Sequence, residues 1–123
     1  MRRSRGVLGT LAVLVLVLCA CQKSREGTRC VEGATECTSP NSALVCVHTV
    51  FRKTPCRGAK GCAGNCDESI ADVGEPCFTA KNPFACSVAK DALLACENGK
   101  FVLSKQCACS VDREGAATCL AAR

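Results

Sequence analysis

Residues 93–103, from which the fold prediction starts, are Leu93-Leu94-Ala95-Cys96-Glu97-Asn98-Gly99-Lys100-Phe101-Val102-Leu103. Two short apolar runs flank an Asn-Gly pair, and both of these residues tolerate the positive φ angles of a type I′ turn. The stretch therefore predicts a β-hairpin with its tip at residues 98–99. A competing interpretation makes residues 87–95 a short helix with Ser87 as its N-cap.

A second copy of this pattern lies about fifty residues earlier in the chain. Ala43-Leu44-Val45-Cys46 corresponds to the first apolar run, and Phe51 follows Cys46 by five places, as Phe101 follows Cys96. In this copy, Ser39-Pro40-Asn41-Ser42 would break a helix where the competing interpretation needs one. We therefore predict strands in both copies.

The cysteines extend the repeat over the rest of the chain. Two sets of six correspond to one another, with partners 47 to 53 positions apart. The first set is Cys30, Cys37, Cys46, Cys56, Cys62 and Cys66, and the second is Cys77, Cys86, Cys96, Cys107, Cys109 and Cys119. Such a period indicates repeated structural units. We predict Cys-rich modules at residues 30–66 and 77–119, an acidic linker at 67–76 and a tail at 120–123.

The cysteine content predicts a disulfide scaffold. From Cys21 onward, twelve of 103 residues are module cysteines, above the roughly 8–10% that marks such scaffolds. With no Trp or Tyr and four Phe, units this short need bridges in place of a large apolar core. We predict a small, disulfide-rich, mainly β and irregular fold in which these twelve cysteines form bridges. Cys107 and Cys109 need separate partners because a bridge between them would be strained; the pairing is otherwise open.

The start of the chain has the three parts of a secretory signal peptide. Arg2, Arg3 and Arg5 precede a charge-free apolar run at residues 7–18, and small residues follow. This run is shorter than the roughly 20 apolar residues of a membrane-spanning helix. Residues 1–20 are therefore predicted to be a signal peptide.

Leu18-Cys19-Ala20-Cys21, at the end of this signal, resembles the lipobox of bacterial lipoprotein precursors. The resemblance implies that the Cys21 sulfur takes a diacylglyceryl group, that cleavage occurs between Ala20 and Cys21 and that the new amine is acylated. Palmitate would then label Cys21, and residues 21–29 would form a lipidated tether. Two or more acyl chains hold a protein firmly at a membrane. In lipoproteins of this kind, an aspartate directly after the lipidated cysteine retains the protein at the inner membrane. This chain has Gln22 there, which implies that it is located at the outer membrane in a cell that has one. The alternative is a plain secretory signal with Cys21 an ordinary thiol.

The charge pattern argues against nucleic acid as a partner. The formal net charge is +5, and loss of the three leader arginines leaves +2. A local basic stretch consists of Arg52, Lys53, Arg57 and Lys60. We interpret it as a solvated face that the following acids neutralise; contact with anionic lipid or polysaccharide is the alternative.

Residues for catalysis or metal binding are scarce. His48 is the only histidine, and the repeat places it at a hairpin tip with no paired nucleophile. Zinc could use thiolates such as those of Cys62 and Cys66, but the chain has no Cys-x-x-Cys pair. We therefore predict a protein that is not an enzyme, with no catalytic residue, no metal site and no cofactor.

The predicted function is that of a membrane-anchored envelope lipoprotein with a binding or structural role. Its predicted partners are membrane lipid, through acylated Cys21, and an unidentified envelope protein or glycan. A protease inhibitor, presenting residues 81–85 or 57–61 as bait, is one alternative. The other is a weak carbohydrate-binding module, because Cys96-x-x-Gly99-x-Phe101 is similar to peritrophin-type chitin-binding domains. Those domains depend on exposed aromatic side chains.

Overall fold

A computed structural model describes residues 24–121. The predicted signal peptide, its cleavage site and the predicted lipidation site Cys21 lie outside these residues. Residues 24–121 form eleven short β-strands and six disulfides, with no helix. The predicted small, disulfide-rich, mainly β fold is confirmed. In this part of the chain there is accordingly no apolar helix of membrane-spanning length.

The first module is built on a three-stranded antiparallel sheet. Its strands are β1 (Thr35–Ser39), β2 (Ser42–Val47) and β3 (Val50–Pro55), in the order β1-β2-β3. A two-residue ladder follows, in which β4 (Cys62–Ala63) pairs with β5 (Asn65–Cys66).

The second module is built on a four-stranded sheet. Its strands are β6 (Ile70–Ala71), β7 (Phe84–Ser87), β8 (Ala92–Glu97) and β9 (Lys100–Gln106), in the order β6-β7-β8-β9. Strand β6 runs parallel to β7, and the other neighbours are antiparallel. A separate ladder joins β10 (Cys109–Val111) to β11 (Ala117–Cys119).

Both predicted hairpins are present. Strands β8 and β9 turn at Asn98 and Gly99, with φ angles of 50° and 77°, and β2 and β3 turn at His48 and Thr49, with 53° and 62°. Positive φ at both central positions is the type I′ geometry that matches the twist of the strands. The competing helix over residues 87–95 is wrong, because the chain turns after β7 and re-enters the sheet as β8.

The six disulfides give both modules the same connectivity. Each module joins its first cysteine to its third, its second to its fifth and its fourth to its sixth. The bridges are Cys30–Cys46, Cys37–Cys62 and Cys56–Cys66, then Cys77–Cys96, Cys86–Cys109 and Cys107–Cys119. Cys107 and Cys109 have separate partners, as strain requires.

The backbone hydrogen bonds repeat as well, and they begin before the first cysteine of each module. The Gly27 N–H donates to the Phe51 carbonyl (2.9 Å), and the Gly74 N–H donates to the Phe101 carbonyl (2.8 Å). In addition, Arg29 forms an isolated antiparallel β-bridge with Val50, and Pro76 forms the equivalent β-bridge with Lys100. The last residues of the predicted tether and of the predicted linker therefore belong structurally to the modules that follow them.

The core of each module consists of disulfides that pack against a few apolar side chains. Strand β2 is buried on both faces, since Val45 and Val47 pack with the Cys56–Cys66 bridge while Leu44 packs with Phe51. In the second module, Leu94 and Phe101 are 0% and 1% exposed beside the Cys77–Cys96 bridge. Alternate side chains of β2 thus pack into two small cores on opposite faces of the strand.

Candidate functional site

The two modules pack against each other through the loop that precedes β7. A Cβ atom on Gly33 would lie 2.7 Å from Phe78 Cε1, so the first module approaches this ring where only glycine fits. Lys81 reaches back across the contact, and its Nζ donates to the Gly33 carbonyl at 2.7 Å and to Thr35 Oγ1 at 3.3 Å. The side chain of Lys81 therefore joins the modules.

A buried carboxyl group lies in this contact. Glu68 is 2% exposed; its Oε2 accepts a hydrogen bond of 2.6 Å from Asn82 Nδ2, while its Oε1 has no partner among the described residues. Burial raises the pKa of Glu68 to about 7, since the charged form loses its hydration. A cavity of about 280 Å³, also lined by Lys81 and Asn82, lies beside it.

The predicted acidic linker is held by charged contacts on its other side. Arg57 forms ion pairs with Glu75 and, at 3.8 Å, with Asp72. Partial burial raises the pKa of Asp67, but hydrogen bonds from Ser69 and Lys60 outweigh it and leave the pKa lowered. The acids after the basic stretch thus lie next to Arg57 and Lys60, whereas within residues 24–121 neither Arg52 nor Lys53 forms a salt bridge.

The hairpin tips of the two modules also meet. A Cβ atom on Gly99 would lie 2.6 Å from Val47 Cγ1 and 3.0 Å from His48 Cε1, so the imidazole packs on the second hairpin. The Glu32 carboxylate accepts hydrogen bonds from the N–H groups of His48 (2.9 Å) and Thr49 (2.7 Å). Those two bonds lower the pKa of Glu32.

A groove of about 320 Å³, here called the tip groove, lies beside this contact. Its walls come from both modules and from the segment before Gly27. The lining residues are Glu26, Val47, His48, Arg52, Lys53, Gly74, Pro76, Asn98, Gly99 and Lys100. Three of these side chains are permanent cations and one, Glu26, is an acid, so the groove is electropositive.

The structure places the predicted site residues as follows. All twelve module cysteines lie in the disulfides already described, and among residues 24–121 no cluster of three Cys, His, Asp or Glu side chains is arranged to hold a metal ion. His48 lies at an exposed hairpin tip. Of the candidate bait residues, Lys81 binds the Gly33 carbonyl in the contact between the modules. Arg57 forms its ion pair with Glu75 in the acidic segment.

Glu68 and Lys100 could not be recognised from the sequence as residues of these contacts. Glu68 follows Asp67 in an acidic segment, and this position gives no local sign that its side chain is buried against Asn82. Lys100 is an ordinary residue after a turn, and only the packing of the tips brings it beside Arg52 and Lys53. The repeat alignment places Lys100 in line with Val50 and therefore gives no hint of a shared groove.

No protein-family model, curated protein or solved structure matches this chain.

Proposed function

We propose that this chain is a lipid-anchored lipoprotein of the bacterial envelope that acts by binding, or as a structural component, and not by catalysis. The observation that carries the proposal is Leu18-Cys19-Ala20-Cys21 at the end of an apolar run with a basic start. Acylated Cys21 would fasten the two modules to the membrane, and Gln22 favours the outer membrane where there is one.

The disulfide pattern supports this proposal. Cleavage after Ala20 would leave thirteen cysteines, of which twelve pair within their own modules. The cysteine left over is Cys21, so its sulfur is available to carry a diacylglyceryl group. Bridges of this density are typical of exported proteins, because thiols are kept reduced in the cytosol.

The surroundings of His48 support a binding or structural role. Its ring packs on Gly99 and its backbone N–H is bound by Glu32, so the residue has a place in the contact between the modules. The tip groove and other exposed side chains of the two disulfide-linked modules suit recognition of another molecule.

Neither alternative function is favoured by a specific observation. A bait loop needs a free side chain at its tip, and Lys81 donates its hydrogen bonds to the other module. A sugar-stacking platform needs exposed rings, and Phe101, the aromatic residue of the chitin-binding-like pattern, is 1% exposed. We therefore retain the envelope lipoprotein as the proposal.

Metabolic labelling with palmitate tests the anchor. The wild-type chain and a matched Cys19→Ser variant should both carry label, whereas Cys21→Ser should carry none. Intact mass spectrometry of the membrane form should show the lipid on a chain that begins at Cys21, and reduction should add the twelve hydrogens of six opened bridges. Label on Cys21→Ser, or a cytosolic chain with free module thiols, would contradict the proposal.

A further inference from the structure

The tip groove concentrates positive charge where the chain enters the first module. Arg52 and Lys53 come from β3, and Lys100 comes from the start of β9 in the other module. Since the net charge from Cys21 onward is +2, three cations against Glu26 in one groove form a local excess. Such an excess attracts a partner with several negative charges.

Several acids around the tip groove are already engaged in part. The Glu32 carboxylate is bound to the backbone of the His48–Thr49 turn. Glu26 accepts a long hydrogen bond of 3.5 Å from the Lys53 backbone N–H. Glu97 lies opposite Lys100 across the hairpin, but within residues 24–121 no salt bridge engages Lys100. Charges on the groove cations are therefore left for an external anion.

The short segment between Cys21 and Glu26 limits how far the tip groove can lie from the proposed lipid anchor. Glu26 lines the groove, and the next residue, Gly27, is fixed to β3 by its hydrogen bond to Phe51. Cys21 is five residues before Glu26, a span of at most about 18 Å when extended. Two further cations, Arg25 and Arg29, flank Glu26 in the sequence. An anchor on Cys21 would hold the groove within this distance of the lipid surface.

We propose that the tip groove faces the membrane that holds Cys21 and binds the phosphate groups of its anionic lipids. This inference rests on the proposed lipid anchor for its geometry, and the chemistry it uses is the attraction between basic side chains and an anionic lipid surface. Contact by both hairpin tips at once would fix the orientation of the modules, because each module contributes cations to one groove.

The test uses the chain from residue 21 onward with Cys21→Ser, which carries no lipid, and vesicles of phosphatidylcholine with and without phosphatidylglycerol. The groove variant is Arg52→Gln, Lys53→Gln, Lys100→Gln. The matched control is Lys90→Gln, Lys105→Gln, Arg113→Gln, which removes the same charge from exposed positions outside the groove. Non-reducing mass spectrometry and circular dichroism check that each variant keeps its bridges and fold.

We expect salt-sensitive binding to the anionic vesicles and none to the neutral ones. The groove variant should bind on the order of a hundredfold more weakly, since each cation near an anionic surface contributes about fivefold. The control should lose much less. Glu26→Gln should bind more tightly than the parent, which gives a second variant whose effect has the opposite sign.

Three results would overturn the proposal. One is equal binding to neutral vesicles; another is an equal loss in the groove and control variants, which would mean that only net charge matters. The third is groove-dependent binding to a soluble phosphate-bearing polysaccharide with none to vesicles, which would assign the groove to a glycan. Because the tested chain carries no lipid, the outcome is independent of whether palmitate labels Cys21 in the cell.

Discussion

The turn Asn98-Gly99 and the turn His48-Thr49 occupy equivalent places in the two modules, and all four residues have positive φ. Asn and Gly adopt that geometry at little cost, whereas a β-branched residue such as Thr49 does so only under strain. In the first module the Glu32 carboxylate binds both turn N–H groups from a position 16 residues away. One turn is therefore specified by its own residues and the other by a tertiary contact.

The two modules share their covalent framework, although the sheet of the second has an additional parallel strand, β6. Both have the same disulfide connectivity and the same hydrogen bonds between the segment before the first cysteine and the hairpin. The cross-linked framework is therefore the constant feature of this repeat. The local chemistry of each loop varies as long as the framework and one compensating contact hold the backbone in place.

Reduction is the change expected to break both modules, including the hairpin with the favourable Asn-Gly turn. Each bridge contributes about 2–4 kcal/mol, against a total stability of about 5–15 kcal/mol for a domain. Excess reductant should therefore unfold the protein, as seen by circular dichroism and by collapse of amide chemical-shift dispersion. Native signals that persist for β8 and β9 alone would show that the turn sequence suffices there.

The junction between the modules is expected to respond to pH through Glu68. Its pKa rises from 4.5 to about 7 on folding, so the native state holds a proton that the unfolded state has lost between these values. Stability should therefore fall as pH rises from about 4.5 to about 7, by about 3 kcal/mol in all. Denaturant unfolding at several pH values measures this.

The matched pair for that measurement is Glu68→Gln and Glu114→Gln. In Glu68→Gln the new amide stays neutral and its oxygen can still accept from Asn82, so the fall across this window should vanish. The exposed Glu114→Gln should leave the fall unchanged. Glu32 and Asp67, whose pKa values are lowered, act the other way: their stabilisation is lost as pH drops below their unfolded values. A wild-type curve that rises from pH 5 to pH 8 would contradict the role of Glu68.

The close approach of the hairpin tips is tested at Gly99. In Gly99→Ala the new Cβ would meet Val47 and His48 while the backbone keeps φ near +77°, and we expect a loss of at least about 1–2 kcal/mol. Gly115→Ala is the control, because its φ is +88° but nothing lies within 4 Å of its Cβ. Thermal unfolding of both variants separates contact from backbone strain. Equal losses would mean that the tips do not touch.

The smallest expected effect is a gain in stability on substitution of Thr49. Thr49→Gly makes the first turn resemble the second, relieving the strain of a β-branched residue at φ 62° while adding the entropy cost of glycine. The net gain should be about 0.5–1 kcal/mol, measured by chemical denaturation. Glu32→Gln should destabilise the Thr49→Gly variant less than it destabilises the wild-type chain, because a relaxed turn depends less on the carboxylate. An unchanged loss would separate Glu32 from turn strain.

Several features of the fold could be predicted because their causes are local. An Asn-Gly pair between apolar runs specifies a hairpin, and the recurrence of Phe51 and Phe101 five places after a cysteine exposes the repeat. The candidate sites could be predicted only in part. The sequence groups Arg52, Lys53, Arg57 and Lys60 as one basic face, but Arg57 and Lys60 lie beside acids while Arg52 and Lys53 join Lys100.

The amino-acid sequence is therefore sufficient to specify the turn geometry at residues 98–99, the division of twelve cysteines into two sets, and the mainly β character of so small a core. The pairing of the cysteines, the burial of Glu68 against Asn82 and the groove shared by Lys53 and Lys100 depend instead on the folded chain. The physical reason is that the closure entropy of alternative loops differs little. Pairing, burial and charge clustering thus depend on which side chains the folded backbone brings within a few ångströms.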